Sequence, residues 1–245
     1  MHLASVAFQP HTYPTAECFP FNLEAFRQAQ ELTFPTPVTF FVGENGTGKS
    51  TLLEALALRC GIHIWHFPEG PRVRVNPYEH TLHRHIQVTW ANGSVPGSYF
   101  GSAVFQDFAA LLDEWAASDP GLLQYFGGQS LMTQSHGQSI LAFFRARFQR
   151  KGLYLLDEPE TALSPRSQIE LLRLLTNEGS AGQAQFVIAT HSPILMASPG
   201  ATIYSFDQVP ISRIEYEATE HFCLYKRFMD NPLAHSTASA PLTDA

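Results

Sequence analysis

The segment from Gly43 to Ser50, with the sequence GENGTGKS, constrains the fold of this chain more than any other feature. It follows the β-rich run Val38–Val42, and apolar residues at helical spacing follow it from Ser50 to Cys60. Its glycines allow the backbone to curl so that successive N–H groups converge on phosphate oxygens, and the helix behind it directs its positive end to the same point. The sequence therefore predicts a strand, a phosphate-binding loop and a helix.

Lys49 and Ser50 carry the chemistry of this loop. The pattern G-x-x-x-x-G-K-[ST] is typical of nucleotide-binding loops. Its lysine neutralises the β- and γ-phosphates, and the hydroxyl after it ligates Mg²⁺. The residues expected to contact nucleotide are Gly43, Asn45, Gly46, Thr47, Gly48, Lys49, Ser50 and Thr51.

Another apolar run, Leu153–Leu156, ends in two carboxylates, Asp157 and Glu158. A continuous apolar run predicts a strand buried on both faces, and ligands of parallel α/β sheets lie beyond the carboxyl ends of the strands. We therefore expect Asp157 near Mg²⁺ and Glu158 where it can orient or deprotonate a water. His191 follows a third apolar run and is expected at the same edge, where an imidazole can hydrogen-bond a phosphate.

Composition excludes several classes of protein. The 245 residues include 15 basic and 22 acidic side chains, and the net charge of −7 argues against non-specific coating of nucleic acid. Three cysteines without paired spacing exclude a disulfide scaffold and fit a reducing compartment. The N-terminus lacks a signal-peptide pattern and no apolar stretch is long enough to cross a bilayer, so we expect a cytoplasmic protein.

Buried strands that alternate with helices predict an α/β fold with a largely parallel sheet flanked by helices. We expect one domain over residues 1–232, with an inserted β/α subregion at about 62–130, and a loose tail at 233–245.

Local patterns predict further elements. Asn22–Leu32 has the cap and spacing of a short helix, and Asn92-Gly93 is typical of a hairpin turn between two strands. Ser164-Pro165 opens a helix whose apolar positions include Ile169, Leu172 and Leu175.

Gln134–Ser139 precedes a predicted helix over Ser135–Lys151. A serine cap and a glycine at a helix start can form a second anion-binding surface. One triphosphate does not need two such surfaces unless the second serves a partner chain. By spacing alone, the segment is a polar turn before a helix.

Together these segments resemble the nucleotide-binding domain of ATP-binding-cassette (ABC) ATPases, a P-loop NTPase fold. The motifs, in the order of that family, are Walker A at Gly43–Ser50, the signature at Gln134–Ser139, Walker B with the catalytic glutamate at Leu153–Glu158, the D-loop at Ala162–Ser164 and the switch histidine at His191.

A closer resemblance, over about Phe19–Pro232, is to small bacterial "predicted ATPase" proteins of the AAA/ABC-like group, related to the branch of RecF, SMC and OLD-type ATPases. It rests on the runs FVGENG, QSHG, GLYLLDEPE and ATHSPIL. The resemblance implies ATP hydrolysis with Mg²⁺, with Lys49, Glu158 and His191 acting in catalysis. It also implies an ATP-dependent homodimer in which each site is completed by the signature residues of the partner, here Ser135, His136, Gly137 and Gln138.

Two parts of the family pattern have no clear match. Gln106 is the nearest candidate for the glutamine-loop ligand of Mg²⁺, although such a residue is expected nearer Ala103. Tyr13, Phe19 and Phe21 are candidates for an aromatic ring that stacks on adenine, and each could equally belong to the core.

Two clusters remain open from sequence alone. The stretch His63–His85 holds five histidines near Cys60 and Glu79, which could ligate metal or lie at the surface. Arg145, Arg147, Arg150 and Lys151 form the densest basic run, with the last three predicted on one helix face. It could contact DNA phosphates, or it could be the solvated end of a helix.

The process that the ATPase cycle drives also stays open. The related branch suggests DNA repair or defence against phage. The alternatives are an energy-coupling subunit of a membrane transporter, and an ATP-sensing regulatory subunit of a soluble effector protein.

Overall fold

The computed structural model describes residues 1–64, 76–101, 121 and 136–232. Most of the subregion expected at about 62–130 and the tail expected at 233–245 lie outside these residues. Within the described parts of the chain, no helix is both long enough and apolar enough to cross a membrane.

The secondary structure alternates between strands and helices. The strands are β1 (Leu3–Phe8), β2 (Glu31–Thr33), β3 (Val38–Val42), β4 (Ile86–Trp90), β5 (Gly97–Gly101), β6 (Gly152–Asp157), β7 (Ala184–Ala189), β8 (Thr202–Ser205) and β9 (Ser212–Arg213). The helices are α1 (Glu24–Gln28), α2 (Lys49–Arg59), α3 (His136–Phe148), α4 (Pro165–Ser180), α5 (Pro193–Met196) and α6 (Glu220–Asp230).

A six-stranded sheet forms the centre of the described fold, in the order β5-β6-β7-β3-β8-β9. Its first five strands run parallel, and β9 pairs antiparallel with β8. The expected α/β fold with a largely parallel sheet is therefore confirmed. β5 comes from the region expected to be an insertion, and it forms an edge of this sheet beside β6.

Both faces of the large sheet are buried. Every residue of β3 and β7 is buried, as a parallel sheet covered on both sides requires. Successive residues face opposite sides, so Phe41 joins the core under α2 while Phe40 joins the core that contains Phe148 and Leu171. The sheet is thus fixed between two apolar layers, and this holds its carboxyl edge in place.

A second, antiparallel sheet has the order β2-β1-β4. Sequence reasoning missed β1 and β2. Gln185 on β7 links the two sheets: its Oε1 accepts from the backbone N–H groups of His2 and Leu3, each at 2.7 Å, and its Nε2 donates to the Leu3 carbonyl at 2.9 Å.

This second sheet corrects two local predictions. The helix predicted over Asn22–Leu32 covers only Glu24–Gln28, because Leu32 pairs opposite Val6 in β2. The hairpin predicted at Asn92-Gly93 is wrong, since β4 pairs with β1 while β5 pairs with β6.

Two helix faces also differ from the prediction. Ile169 is 42% exposed, because Leu171 and Leu175, one turn apart, form the buried side of α4. The basic run does not share one helix face, because α3 ends at Phe148 and the chain then turns into β6.

Candidate functional site

The loop between β3 and α2 has the backbone conformation that its glycines allow. Gly43, Gly46 and Gly48 have φ values of +140°, +82° and +104°, which side-chain-bearing residues rarely adopt. At Gly48 an added Cβ would lie 2.6 Å from Cζ of Phe26. The last glycine is therefore needed both for its conformation and for close packing against α1.

Lys49 is buried at the start of α2 and folds back over the loop. Its Nζ donates to the carbonyl oxygens of Gly43 at 2.6 Å and Glu44 at 2.8 Å. Burial lowers the pKa of Lys49, while nearby carboxylates, first among them Glu158 and then Asp207, act to raise it. The lysine is thus a buried cation that the backbone of the loop holds in place.

Ser50 and Asp157 join the loop to the end of β6. The Ser50 hydroxyl donates to Oδ1 of Asp157 at 2.9 Å, and the Tyr99 hydroxyl on β5 donates to Oδ2 at 3.1 Å. Burial raises the pKa of Asp157, while the hydrogen bonds from Ser50 and Tyr99 favour the carboxylate. Sequence reasoning did not identify Tyr99, because only the pairing of β5 with β6 brings it to this carboxylate.

Glu158 follows with its backbone in the left-handed region, at φ 48° and ψ 53°. It is the one non-glycine residue with positive φ among the described residues. Its Oε1 lies 3.6 Å from Nε2 of His191, so the predicted catalytic glutamate and the predicted switch histidine face each other.

His191 is held at both its backbone and its ring. Its N–H donates to Oε1 of Glu160 at 2.6 Å, and its Nδ1 lies 2.9 Å from Nε2 of His221 on α6. Burial raises the pKa of Glu160 and lowers the pKa of both histidines. Glu160 belongs to a quoted run, but nothing in the sequence indicated that His221 would reach this site.

An open cleft with an empty volume of about 500 Å³ lies over the loop. Its lining consists of Phe19, Asn45, Gly46, Gly48, Lys49, Ser50, Thr51 and Glu158. Of the three aromatic candidates, Phe19 lines this cleft. Tyr13 and Phe21 instead pack against each other, with ring centroids 4.7 Å apart.

Parts of the amino-acid sequence match known families and known proteins. Residues 130–197 match a family described as "AAA domain, putative AbiEii toxin, Type IV TA system", and residues 21–64 match one described as "AAA domain". The hemin import ATP-binding protein HmuV of Streptomyces coelicolor is 31% identical over 184 residues, 66% of this chain and 61% of that protein. The thiamine import ATP-binding protein ThiQ of Haemophilus influenzae is 26% identical over 223 residues, 85% of this chain and 93% of that protein.

The fold has a solved counterpart. The SMC head domain from Thermotoga maritima matches with a TM-score of 0.51 and 16% identity, over 88% of this chain and all of that domain. The chain is an AAA/ABC-type ATPase domain. The expected ATP hydrolase class is thereby confirmed.

The signature segment of the ATPase is described in part. Gly137 and Gln138 lie in the first turn of α3, and Gln138 is exposed. Ser135 and Gln106 lie outside the described residues, as does the side chain of His136. Their predicted roles stay predictions.

The histidine-rich stretch and the basic run of the ATPase both contain side chains that contact other residues. Among the described residues, no group of three potential metal ligands occurs, and His66 lies outside them. His80 instead contacts Glu54 at 2.7 Å. In the basic run, Arg145 pairs with Glu170 at 2.8 Å and Arg147 donates to Ser98 at 2.8 Å.

Proposed function

We propose that this ATPase binds Mg²⁺-ATP in the cleft over Gly43–Ser50 and works as an ATP-driven dimerisation switch. The observation that carries the proposal is the 2.9 Å contact between the Ser50 hydroxyl and the Asp157 carboxylate. It joins the phosphate-binding loop to the acidic end of β6, the two halves of a nucleotide site.

The residues fit a magnesium ion. Mg²⁺ prefers hard oxygen ligands and few protein groups, and Ser50 and Asp157 offer a hydroxyl and a half-buried carboxylate beside each other. When bound, Mg²⁺ neutralises charge on the β- and γ-phosphates. Tyr99 keeps Asp157 oriented by donating to its second oxygen.

The remaining residues divide the chemistry. Loop N–H groups and Lys49 bind phosphate oxygens, and Phe19 offers an aromatic face for adenine at the rim of the cleft. Glu158 orients the attacking water and accepts its proton, and His191, whose Nε2 lies 3.6 Å from that carboxylate, binds the γ-phosphate. Positioning and charge stabilisation supply most of the rate in such phosphoryl transfer.

The dimer would complete each site with the start of α3 from the partner subunit. The exposed position of Gln138 in the first turn of that helix supports this. The test is the mass of the Glu158→Gln variant by light scattering with saturating Mg²⁺-ATP. We expect a dimer with ATP and a monomer in the Lys49→Ala, Glu158→Gln double variant. A Glu158→Gln protein that stays monomeric would contradict the sandwich.

For the role of the switch, we favour DNA repair or phage defence. The likeness of the fold to an SMC head and the match to a family named for a toxin support this role. The measurement is steady-state ATP hydrolysis with and without linear double-stranded DNA, with Lys49→Ala as the blank. Stimulation by DNA would support this role, and a Lys49-dependent rate indifferent to DNA would point to a soluble effector protein.

A second candidate is the energy-coupling subunit of a membrane transporter. Both curated relatives are named import ATP-binding proteins, and this observation favours it. Against it, the predicted signature has the form Ser-His-Gly-Gln and the glutamine loop has no clear match. Co-purification of a membrane protein with the tagged chain would favour this candidate over the first.

A further inference from the structure

The ring of His191 has two different surroundings. Its Nδ1 lies 2.9 Å from Nε2 of His221. Its Nε2 is buried, has no hydrogen-bond partner among the described residues, and lies 3.6 Å from Oε1 of Glu158. The ring therefore has one nitrogen engaged by a second histidine and one nitrogen that points toward the reacting groups.

The contact between the two histidines requires one proton between them. A neutral imidazole carries its proton on one nitrogen and accepts on the other, so the partner at Nδ1 decides what Nε2 can do. If Nε2 of His221 donates, Nδ1 of His191 accepts and Nε2 of His191 carries the proton. In the opposite arrangement, neutral His191 would turn a lone pair toward the Glu158 carboxylate.

The surrounding charges favour the first arrangement. Glu158 and Glu44 face His191, and a proton on Nε2 is attracted to these acids and to a phosphate. The charge of Lys49 disfavours a positive charge on either ring, while the charges of Asp207, Glu44 and Glu220 act to raise the pKa of His221. Burial lowers the pKa of both rings, which is consistent with a neutral pair.

We propose that His221 is a positioning residue that fixes the tautomer of His191 with the proton on Nε2, so that His191 can donate to the γ-phosphate. The proposal rests on the proposed role of His191 in ATP hydrolysis. The proposal gives a residue of α6 a role in the active site, although the sequence of α6 contains no recognisable motif. The two rings, with centroids 5.1 Å apart, bring the first turn of α6 against the loop after β7.

The kinetic test is a double-mutant cycle between the two histidines. His221→Phe keeps a ring but removes both nitrogens, and we expect kcat to fall about 10- to 100-fold with little change in KM, the usual cost of losing an orienting partner. In a His191→Ala background the same change should alter kcat less than about twofold. His221→Gln, whose amide can donate from a similar place, should recover most of the rate.

Two kinetic results would overturn the proposal. One is an equal loss from His221→Phe with and without the His191 side chain, which would mean a general structural effect. The other is a His191→Ala variant with an unchanged kcat, which would remove the group through which His221 acts. Lys49→Ala serves as the blank in each assay, so a wild type without Lys49-dependent hydrolysis contradicts the proposed function separately.

A second measurement needs neither nucleotide nor activity. Long-range ¹H–¹⁵N spectra of the wild-type protein report which ring nitrogen of each histidine is protonated. We expect His191 to carry its proton on Nε2 in the wild type and in His221→Gln, and to populate both tautomers in His221→Phe, which offers no hydrogen-bonding partner at Nδ1. A wild-type His191 protonated on Nδ1 alone would refute the proposal even if hydrolysis follows the expected pattern.

Discussion

Glu158, the proposed catalytic base, has an unfavourable backbone conformation. A non-glycine residue at φ 48° costs about 1–2 kcal/mol relative to right-handed conformations. The N–H of Glu158 donates to the Ala189 carbonyl at 2.9 Å, and its own carbonyl accepts from Thr161. These contacts hold the strained turn so that the carboxylate faces His191, which is how strain is commonly retained at functional sites.

This strain predicts a difference between two variants that both lack the carboxylate. Glu158→Gly should be more stable than Glu158→Ala by about 1 kcal/mol, because glycine adopts positive φ without a Cβ clash. Urea denaturation without nucleotide measures the difference. The same pair at Glu178, inside α4, should show the opposite sign, since glycine is about 1 kcal/mol worse than alanine in a helix. Equal stability of the two Glu158 variants would contradict strain at this turn.

Glu160 makes the stability of the ATPase depend on pH. Burial raises its pKa above the ordinary 4.5, so the folded protein holds the proton more tightly than the unfolded chain. The stabilisation that this tighter proton binding gives the folded state is complete below pH 4.5, and it is lost as the pH rises through the raised pKa. Glu160→Gln keeps an oxygen for the His191 N–H, so its free energy of unfolding should fall less than that of the wild type from about pH 4.5 to pH 7. Parallel curves from denaturant titrations at several pH values would contradict this.

The predictable part of the site is the part that is local in sequence. Lys49, Ser50, Asp157 and Glu158 lie in motifs whose spacing indicates their chemistry. The structure places Lys49, Ser50 and Glu158 in the lining of one cleft, and Ser50 donates a hydrogen bond to Asp157. Tyr99 and His221 were not predicted, because each reaches the site through a contact between distant elements. The spacing of residues within one segment does not indicate which strands pair or where a helix packs.

Among the secondary-structure elements, the strands that are buried on both faces of the sheet were predicted from the sequence. β3, β6 and β7 consist mostly of buried apolar residues because both faces of the sheet are covered. The starts of two helices were also legible, since the glycine loop precedes α2 and Ser164 caps α4. β1 and β2 belong to the smaller antiparallel sheet, and β2 is only three residues long. Such strands depend on their pairing partner more than on their own pattern, and the same dependence explains the wrong hairpin after β4.

The N-cap of α6 predicts a loss confined to that element. Thr219 is buried, its hydroxyl donates to the Tyr216 carbonyl at 2.7 Å, and it accepts from the Phe222 N–H at 3.3 Å. Thr219→Ala should cost about 1 kcal/mol of stability. It should also speed hydrogen exchange at the first amides of α6, including that of Phe222. Thr219→Ser retains the capping oxygen and should exchange like the wild type, whereas faster exchange in both variants would argue against the cap.

At the scale of the whole described fold, the smaller sheet is fastened to the larger one near its centre. β7 lies between β6 and β3, and Gln185 on it is 1% exposed. A single side chain thus satisfies two N–H groups and one carbonyl at the start of β1. Since buried backbone groups rarely lack partners, this amide fixes where β1 begins relative to the six-stranded sheet.

This link predicts a large loss of stability from one uncharged substitution. Gln185→Leu leaves the backbone groups of His2 and Leu3 without their partners, and we expect it to cost about 2–5 kcal/mol, because each buried unsatisfied group carries a desolvation penalty. Gln183→Leu is the matched control: its side chain is exposed, and the His2 ring contacts only its backbone carbonyl at 2.9 Å. Urea denaturation should therefore show a lower midpoint for Gln185→Leu and a nearly unchanged one for Gln183→Leu. Equal midpoints would mean that apolar packing of β1, and not this amide, joins the two sheets.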